Sequence, residues 1–253
     1  MYFGNNWTGW QILRWLQEQD EEIVGIAIHP ENRRKYGKEM MDVAHVETSC
    51  IFDGSKLQQP EIVEGIKSLR PDIGISVFFG YILRPDILSI MPRGCINVHP
   101  AFLPYNRGSH PNVWSIMEGT PAGATIHFVD DGIDTGDIIK QQEVPVEPTD
   151  TGQTLYRKLE RACVELFIET WPSIRSGHEL RMSQQLEDGT FHRAREIEAI
   201  DNIDLDRAYT GRELINIVRA RTFPPYSGAY FEHEGRKVFL TLQLREEETT
   251  EDS

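Results

Sequence analysis

The sequence has little cysteine, a deficit of positive charge and no long hydrophobic run. Its three cysteines, Cys50, Cys95 and Cys163, are odd in number and widely spaced, which excludes a disulfide framework and a zinc pattern. We therefore expect a reducing, cytoplasmic location. No apolar run approaches the roughly 20 residues that a membrane-spanning helix needs. The first ten residues, "MYFGNNWTGW", lack the basic and apolar regions of a signal peptide.

Acidic residues outnumber basic ones by 40 to 26, which gives a formal net charge of −14. A chain of this kind is not expected to bind polyanions such as RNA. The alternative is that the acidity only provides solubility. The 253 residues suffice for one large domain, or for one domain with a small addition.

Short apolar segments alternate with amphipathic helical patterns over residues 1–145. The strand-like segments include "IVGIAI", "DIGISVFF", "GCINVH" and "AGATIHFV", and the helical ones include "WTGWQILRWLQEQ" and "PEIVEGIKSL". This alternation predicts βαβ units and an α/β fold with a mostly parallel sheet. The first strand, "MYF", is short. Either the sequence starts a few residues late or the strand lies at a sheet edge, and we favour the first explanation.

The second half of the chain is predicted to contain a long helix, a polar excursion and a small extension. The helix covers "TDTGQTLYRKLERACVELFIETWPSI", with Thr151 or Thr154 as its cap. We assign residues 1–174 to a catalytic domain and 175–205 to a linker or surface excursion. Residues 206–253 form a C-terminal extension with one helix and a hairpin across "HEGR". The tail "REEETTEDS" is predicted to be disordered.

Two polar side chains stand at the end of the strand "GCINVH". Successive strand residues point to opposite faces, so Cys95, Asn97 and His99 share one face, and Pro100 ends the strand. Ligands bind at the carboxyl ends of parallel strands, which places both polar groups at the expected mouth of a site. On the alternative interpretation, they only anchor the loop that follows.

Four aspartates crowd the turn "VDDGIDTGD", namely Asp130, Asp131, Asp134 and Asp137. An aspartate near His99 would orient its ring and stabilise its charged form. The Asn97 amide could hold a developing oxyanion. Such a set suits acyl transfer without a covalent protein nucleophile. Turn formation is the alternative role of these aspartates, and it accounts better for Asp130 and Asp131 than for Asp134.

The stretch "INVHPAFLPYNRGSHPNVWSI", followed by "GATIHFVDDGIDTGDII", resembles the folate-dependent formyltransferase family. The shared features are Asn97-x-His99, the "LPYNRG" loop and "DTG" starting at Asp134. The likeness covers residues 70–145 well and the flanks loosely. It implies a Rossmann-like domain, with helices on both faces of the sheet, that passes a formyl group from N10-formyltetrahydrofolate to an amine.

The resemblance also implies roles for residues. Asn97, His99 and Asp134 would be catalytic: Asn97 would hold the oxyanion, and His99 would take the amine proton or stabilise the tetrahedral intermediate. Asp134 would fix His99. Two loops would contact the folate, and their residues are Phe79, Gly80, Tyr81, Ile82, Leu83, Asp130, Asp131 and Gly132.

Family members formylate initiator methionyl-tRNA, a purine-pathway ribonucleotide or nucleotide-linked amino sugars. The tRNA enzymes carry a larger, basic C-terminal domain, whereas residues 206–253 here hold 7 Lys and Arg against 9 Asp and Glu. The purine enzymes generally lack such an extension. Elimination favours a nucleotide-linked 4-amino-4,6-dideoxy sugar for surface glycans, and the other two acceptors remain alternatives. The nucleotide, the sugar stereochemistry and the amino position stay open.

Candidate acceptor contacts come from the loop "GNNWTGW" and from the loop after "GCINVH", residues 100–110, which we call the motif loop. Helix N-terminal amides at the first loop could receive a diphosphate or the sugar, although the stretch is equally explained as a plain turn. The candidate residues are Asn5, Asn6, Trp7, Thr8, Arg107 and His110.

Three other functions remain as alternatives. Cys95 and His99 could form a Cys–His hydrolase. A metal hydrolase would need ligands among His99, His110 and His127, but their spacing is wrong, and we predict no metal. A folate- or nucleotide-binding regulator would use the same fold without turnover. The apolar residues of the C-terminal hairpin predict packing on the N-terminal domain or on a second subunit, as in a homodimer.

Overall fold

The computed structural model describes residues 1–247, so the end of the predicted disordered tail, 248–253, lies outside the described residues. The strands are β1 (Tyr2–Gly4), β2 (Ile26–Ile28), β3 (Ile51–Asp53), β4 (Gly74–Val77), β5 (Cys95–His99), β6 (Arg107–Gly108), β7 (Gly123–Phe128), β8 (Ile138–Glu143), β9 (Phe191–His192), β10 (Tyr230–His233) and β11 (Arg236–Phe239). The α-helices are α1 (Asn6–Glu18), α2 (Gly37–Val43), α3 (Pro60–Ser68), α4 (Pro85–Leu88), α5 (Pro111–Glu118), α6 (Gly152–Ser176), α7 (Ile197–Asp201) and α8 (Gly211–Arg221).

A seven-stranded sheet forms the centre of the molecule, in the order β3-β2-β1-β4-β5-β7-β8. The first five strands in this order are parallel, and β7 runs antiparallel to both β5 and β8. The predicted mostly parallel α/β sheet is therefore confirmed. Strand β1 pairs on both sides, with β2 and β4, so the alternative that it lies at a sheet edge is wrong.

Because successive side chains of a strand point to opposite faces of the sheet, the core has two halves. Tyr2 and Ile96 point to one face, where they pack with the buried sides of α1 and α6. Phe3 and Cys95 point to the other face, which is covered by α3 and α4. Both faces of the sheet are thus covered by helices, as predicted, and Asn97 and His99 belong to the face that α3 and α4 cover.

Strand order reverses between β1 and β4, because β2 and β3 extend the sheet to one side and β5 to the other. The loops that follow β1 and β4 therefore separate at this point and leave a crevice at the carboxyl ends of the strands. The loop after β1 carries Asn5, and the loop after β4 carries residues 78–83.

Helix α6 begins with reciprocal side-chain caps. Thr151 accepts a bond from the Thr154 backbone N–H, and Thr154 accepts one from the Thr151 N–H, so the two predicted caps act together. The helix ends at Gly177, which has a left-handed φ of 72°. Its buried face packs against the sheet and leaves Tyr156 half-buried on another side.

The polar stretch after α6 forms two short β-pairings with the body of the protein. Met182 forms an antiparallel bridge with Ile138, and β9 pairs with β6 in the motif loop. The sequence did not indicate β6, β9, α2 or α7, which are short. Strand β2 is also shorter than "IVGIAI" predicts. Among the described residues, no helix has the length and apolar character needed to cross a bilayer.

Candidate active site

The strand registers place three polar side chains side by side. Asn97 of β5 lies opposite Ser76 of β4 on one side and His127 of β7 on the other. His99 lies two residues further along β5 and is buried. Because paired residues share a face of the sheet, a polar row forms across β4, β5 and β7 on the face that α3 and α4 cover.

Asp134 reaches this row through a turn that folds back over the sheet. The turn starts where the Val129 N–H donates to the Cys95 carbonyl at 2.7 Å, at the beginning of β5. Asp134 has a left-handed φ of 54°. A Cβ at Gly136 would lie 2.0 Å from the Phe128 carbonyl oxygen, so the return path requires glycine.

Gln184 holds the same turn from the polar stretch that follows α6. Its Nε2 group donates to the carbonyl of Asp134 at 2.9 Å and to that of Gly136 at 2.7 Å. One amide nitrogen thus fixes both ends of the short segment that carries the carboxylate.

The Asp134 carboxylate lies at the centre of the polar row. Its Oδ1 atom is 3.4 Å from Asn97 Nδ2, 3.5 Å from His127 Nε2 and 3.6 Å from His99 Nδ1. Its Oδ2 atom accepts a hydrogen bond from the Gly108 N–H at 2.9 Å. The structure therefore brings together the three predicted catalytic residues and adds His127 to them.

The surroundings of Asp134 keep it ionised. Burial raises the pKa of this carboxyl group, but the charge of His99, the adjacent ring of His127 and the bond from the Gly108 amide together outweigh burial. The net effect holds the pKa of Asp134 well below its ordinary value. A fixed negative charge therefore faces the ring of His99 at neutral pH.

The surroundings of His99, in contrast, favour its uncharged form. Burial lowers its pKa, the Asp134 carboxylate opposes that change, and His127 lowers the pKa further. Its Nε2 atom is 3.5 Å from the Asn106 carbonyl oxygen, too far for a strong hydrogen bond. Since the net pKa lies below the ordinary 6.5, His99 is neutral near pH 7 and can accept a proton.

The hydrogen bonds of His127 identify its tautomer. Its Nδ1 atom is 2.8 Å from the Phe128 carbonyl oxygen, which can only accept, so Nδ1 carries a hydrogen. In the neutral ring Nε2 is then an acceptor, and Asn97 Nδ2 donates to it at 3.2 Å. The two N–H bonds of Asn97 thus point to His127 and Asp134, through long hydrogen bonds that a stronger acceptor can replace.

A cavity of about 540 Å³ opens in front of the polar row. Its walls include Asn97, His99, His127 and Asp134. Most residues predicted to contact folate also line it, namely Phe79, Gly80, Tyr81, Ile82, Leu83, Asp130 and Gly132. Two exposed apolar side chains, Ile82 and Ile133, flank it. We call this space the first cavity, and its volume falls in the range of small-molecule sites.

The loop after β4 is held in place by His29. The Nε2 atom of His29 accepts a hydrogen bond from the Gly80 N–H at 3.0 Å. Its ring also lies 5.4 Å from Phe79 and 4.8 Å from Tyr81, between ring centroids. Burial and the charge of Arg33 lower the pKa of His29, which keeps the ring neutral and able to accept this bond.

A second cavity of about 710 Å³ adjoins the first. Tyr156, His110 and Asn112 line both cavities, so the two spaces share a wall. The second cavity contains four cationic side chains, Lys35, Arg157, Arg161 and Arg221, together with the aromatic rings of Trp7, Tyr36, Phe223 and Tyr226. Cationic and aromatic groups of this kind suit a ligand with phosphates and a planar ring.

The predicted acceptor residues separate into two groups. Asn6, Trp7 and His110 line the second cavity. The other three, Asn5, Thr8 and Arg107, line neither cavity, and neither does Asp131, which was predicted to contact the folate. Asn5 uses its side-chain oxygen to bind the Lys35 backbone N–H at 2.8 Å. Thr8 is fully buried, and β6, which carries Arg107, is paired with β9.

Several residues of the two cavities were not expected from the sequence. They are Tyr156, Glu160 and residues 191–194. Gln184, which holds the Asp134 turn from outside both cavities, was also not expected, and His127 was considered only as a possible metal ligand. The i, i+4 spacing of Tyr156 and Glu160 on α6 is a signal that could have paired them. Nothing in the sequence indicates which face of α6 meets a cavity, since that depends on tertiary packing.

The structure does not support the two alternative chemistries, a Cys–His hydrolase and a metal hydrolase. Burial raises the pKa of the Cys95 thiol to about 12, which makes it a poor nucleophile. Cys95 also lies at the start of β5, away from the strand end that carries His99. Within residues 1–247, no cluster of three or more His, Cys, Asp or Glu residues could hold a metal ion.

Comparison with known families gives two matches that together cover most of the chain. A model described as formyl transferase matches residues 8–171. A second model, described as the N-formyltransferase dimerization C-terminal domain, matches residues 196–246. The first match includes β5, the motif loop and the Asp134 turn.

The similar proteins include formyltransferases of two descriptions, those called 4-N formyltransferase or bound to a UDP-linked sugar and those named for methionyl-tRNA. A 4-N formyltransferase from Francisella tularensis is 30% identical, aligns over 97% of both chains and has a TM-score of 0.81. PseJ from Anoxybacillus kamchatkensis, in complex with UDP-4,6-dideoxy-4-formamido-L-AltNAc and tetrahydrofolate, is 34% identical over 68% of this chain and 87% of its own, with a TM-score of 0.55. The methionyl-tRNA formyltransferase of Symbiobacterium thermophilum is 34% identical over 86% of this chain and 67% of its own.

Proposed function

The chain belongs to the formyl transferase family, and from this membership we propose that it formylates the amino group of a nucleotide-linked amino sugar. N10-formyltetrahydrofolate would be the formyl donor and would occupy the first cavity. The acceptor would occupy the second cavity, with a 4-amino-4,6-dideoxy sugar as the preferred form. The product would be an N-formylated sugar for surface glycans.

One observation carries this proposal. An apolar cavity that contains Asn97, His99 and Asp134 shares a wall with a cationic and aromatic cavity. A folate and a nucleotide sugar match these two environments separately, and both ligands can approach the shared wall. This arrangement suits transfer between two small molecules held side by side.

The residues of the first cavity divide the chemistry among themselves. His99 takes the proton from the attacking amine nitrogen and gives it to the folate nitrogen as the C–N10 bond breaks. Asp134 stabilises the protonated ring of His99. Asn97 turns its N–H₂ group from His127 and Asp134 toward the oxyanion of the tetrahedral intermediate. The formyl carbon thus forms one C–N bond to the acceptor amine and loses its C–N bond to the folate.

Arg161 provides the test of the second cavity. We expect Arg161→Ala to raise the Kd for UDP or dTDP about tenfold, since a hydrogen bond to a charged group is removed. Isothermal titration calorimetry measures the change. Arg14→Ala, on the exposed side of α1, is the matched control. Equal nucleotide affinity of the wild type and Arg161→Ala would contradict this placement.

Methionyl-tRNA is the second candidate acceptor, because curated relatives at 29–34% identity carry that name. The chain spans 67–80% of the length of these relatives, whereas its alignment with the 4-N formyltransferase from Francisella tularensis covers 97% of both chains. The net charge of −14 also opposes tRNA binding. These observations favour the amino sugar.

We also propose that two copies associate through the β10–β11 hairpin. Val238 and Phe239 of β11 are 40% and 49% exposed, and the matching domain description names dimerization. Light scattering is expected to give a dimer mass for the wild type and a monomer mass for Phe239→Glu. Glu234→Gln, in the hairpin turn, serves as the control. A wild-type monomer would exclude this assembly.

A further inference from the structure

A carboxyl group stands in the cationic second cavity. Of the described residues that line this cavity, Glu160 is the one with a carboxyl side chain, and Lys35, Arg157 and Arg161 line the same space, while the fourth cation, Arg221, is paired with Asp201. Phosphates account for the cations but not for Glu160, since a carboxylate repels a diphosphate. A carboxylate in this cavity would instead bind a positively charged or hydrogen-bond-donating part of the ligand.

Glu160 is joined to the wall that the two cavities share. Tyr156 belongs to that wall, and Glu160 follows one turn later on the same side of α6. The Asn6 amide nitrogen donates to the Tyr156 hydroxyl and, at 3.3 Å, to Glu160 Oε1. Asn6 has a left-handed φ of 71° at the start of α1. The carboxyl group thus lies on the second-cavity side of the shared wall, one helical turn from Tyr156.

The reacting amine needs a proton acceptor at this place. A sugar amine is largely protonated near neutral pH, and only the neutral form can attack a carbonyl carbon. His99 handles the proton that is released after attack, so it does not account for the earlier deprotonation. A carboxylate on the acceptor side of the shared wall would serve that earlier step.

We propose that Glu160 binds the acceptor's ammonium group and takes its proton before the formyl group is transferred. This inference rests on the proposed function. The ammonium N–H bond breaks, the Glu160 carboxylate becomes a carboxylic acid, and the neutral amine attacks the formyl carbon. After product release the proton passes to water through the open second cavity. Glu160 thereby selects an amino sugar over the corresponding hydroxy sugar.

The groups around Glu160 fit this role. Burial raises the pKa of Glu160 to about 7, although the bond with Tyr156 and the charges of Lys35 and Arg157 act in the opposite direction. A base with a pKa near the working pH is efficient at proton transfer. The neighbours that face it are Asn6 of α1, Lys35 before α2, and Tyr156, Arg157 and Cys163 of α6.

The pH profile of Glu160→Gln tests the proposal. In the wild type, kcat/KM for the amino-sugar nucleotide should rise with pH through about 7 and then level off, as Glu160 loses its proton. In Glu160→Gln it should fall about a hundredfold at pH 7 and recover at higher pH, where the amine deprotonates unaided. Glu160→Asp should keep part of the activity at pH 7. Glu165→Gln, exposed on α6, is the matched control.

Three results separate the possible failures. Wild-type protein that transfers formyl to no amino-sugar nucleotide would overturn the proposed function itself. A working wild type with a Glu160→Gln loss that is equal at every pH would overturn the role of Glu160 alone. Calorimetry with UDP or dTDP completes the test: Glu160→Gln should bind these nucleotides at least as tightly as the wild type, because a negative charge near the diphosphate is removed, and weakened binding would contradict a role confined to the amine.

Discussion

Asp134→Asn is expected to lower kcat by about three to four orders of magnitude, the loss typical of replacing a buried aspartate that supports a catalytic histidine. The substitution keeps the size of the side chain, and its oxygen can still accept the Gly108 N–H. What it removes is the negative charge beside His99. The protonated ring that forms during transfer then loses its counter-charge.

The pH dependence shows whether this charge acts through His99. Asp134 raises the pKa of His99 against the effect of burial, so Asp134→Asn should lower that pKa further. Below the step assigned to Glu160, wild-type activity should fall a second time as the pH drops through the pKa of His99, below 6.5. In Asp134→Asn the same fall should occur at more acidic pH. Asp42→Asn, exposed on α2, is the control, and a loss under about tenfold would contradict the assignment.

His99→Gln is expected to reduce kcat by about 100- to 10,000-fold, because glutamine can form hydrogen bonds but cannot exchange the proton. KM for the folate should change little, since the first cavity keeps its loops and most of its volume. Steady-state kinetics with a saturating acceptor measure both quantities.

The surface histidine His178 provides the matched control for this substitution. His178→Gln makes the same chemical change at an exposed position and should leave both constants unaltered. A His99→Gln variant that retains wild-type kcat would show that another group carries the proton. The neighbouring His127 would then be the next candidate, since it also contacts Asp134.

Short-range patterns in the sequence predicted much of the architecture. The two-residue periodicity of "CINVH" correctly placed Asn97 and His99 on one face, and strand and helix alternation gave the mostly parallel sheet. Asp134 followed from the family motif rather than from periodicity. Its approach depends on a turn that folds back from the start of β5, which residue spacing does not reveal.

The remaining site residues depend on contacts between distant parts of the chain. His127 reaches the row through the antiparallel register of β7, and Gln184 through the stretch after α6. Glu160 lies on a helix whose sequence has the ordinary amphipathic pattern. Periodicity shows that such a helix has a buried face, but not which polar residues of the other face border a cavity.

An assay of formyl transfer to a panel of acceptors is the most direct test of the central proposal. Wild-type protein is mixed with N10-formyltetrahydrofolate and, separately, with dTDP-, UDP- and GDP-linked amino sugars, methionyl-tRNA and a purine-pathway ribonucleotide. Tetrahydrofolate release is followed by absorbance and the formylated product by mass spectrometry. We expect transfer to a 4-amino-4,6-dideoxy sugar nucleotide. Transfer to methionyl-tRNA but to none of the sugars would contradict the proposal.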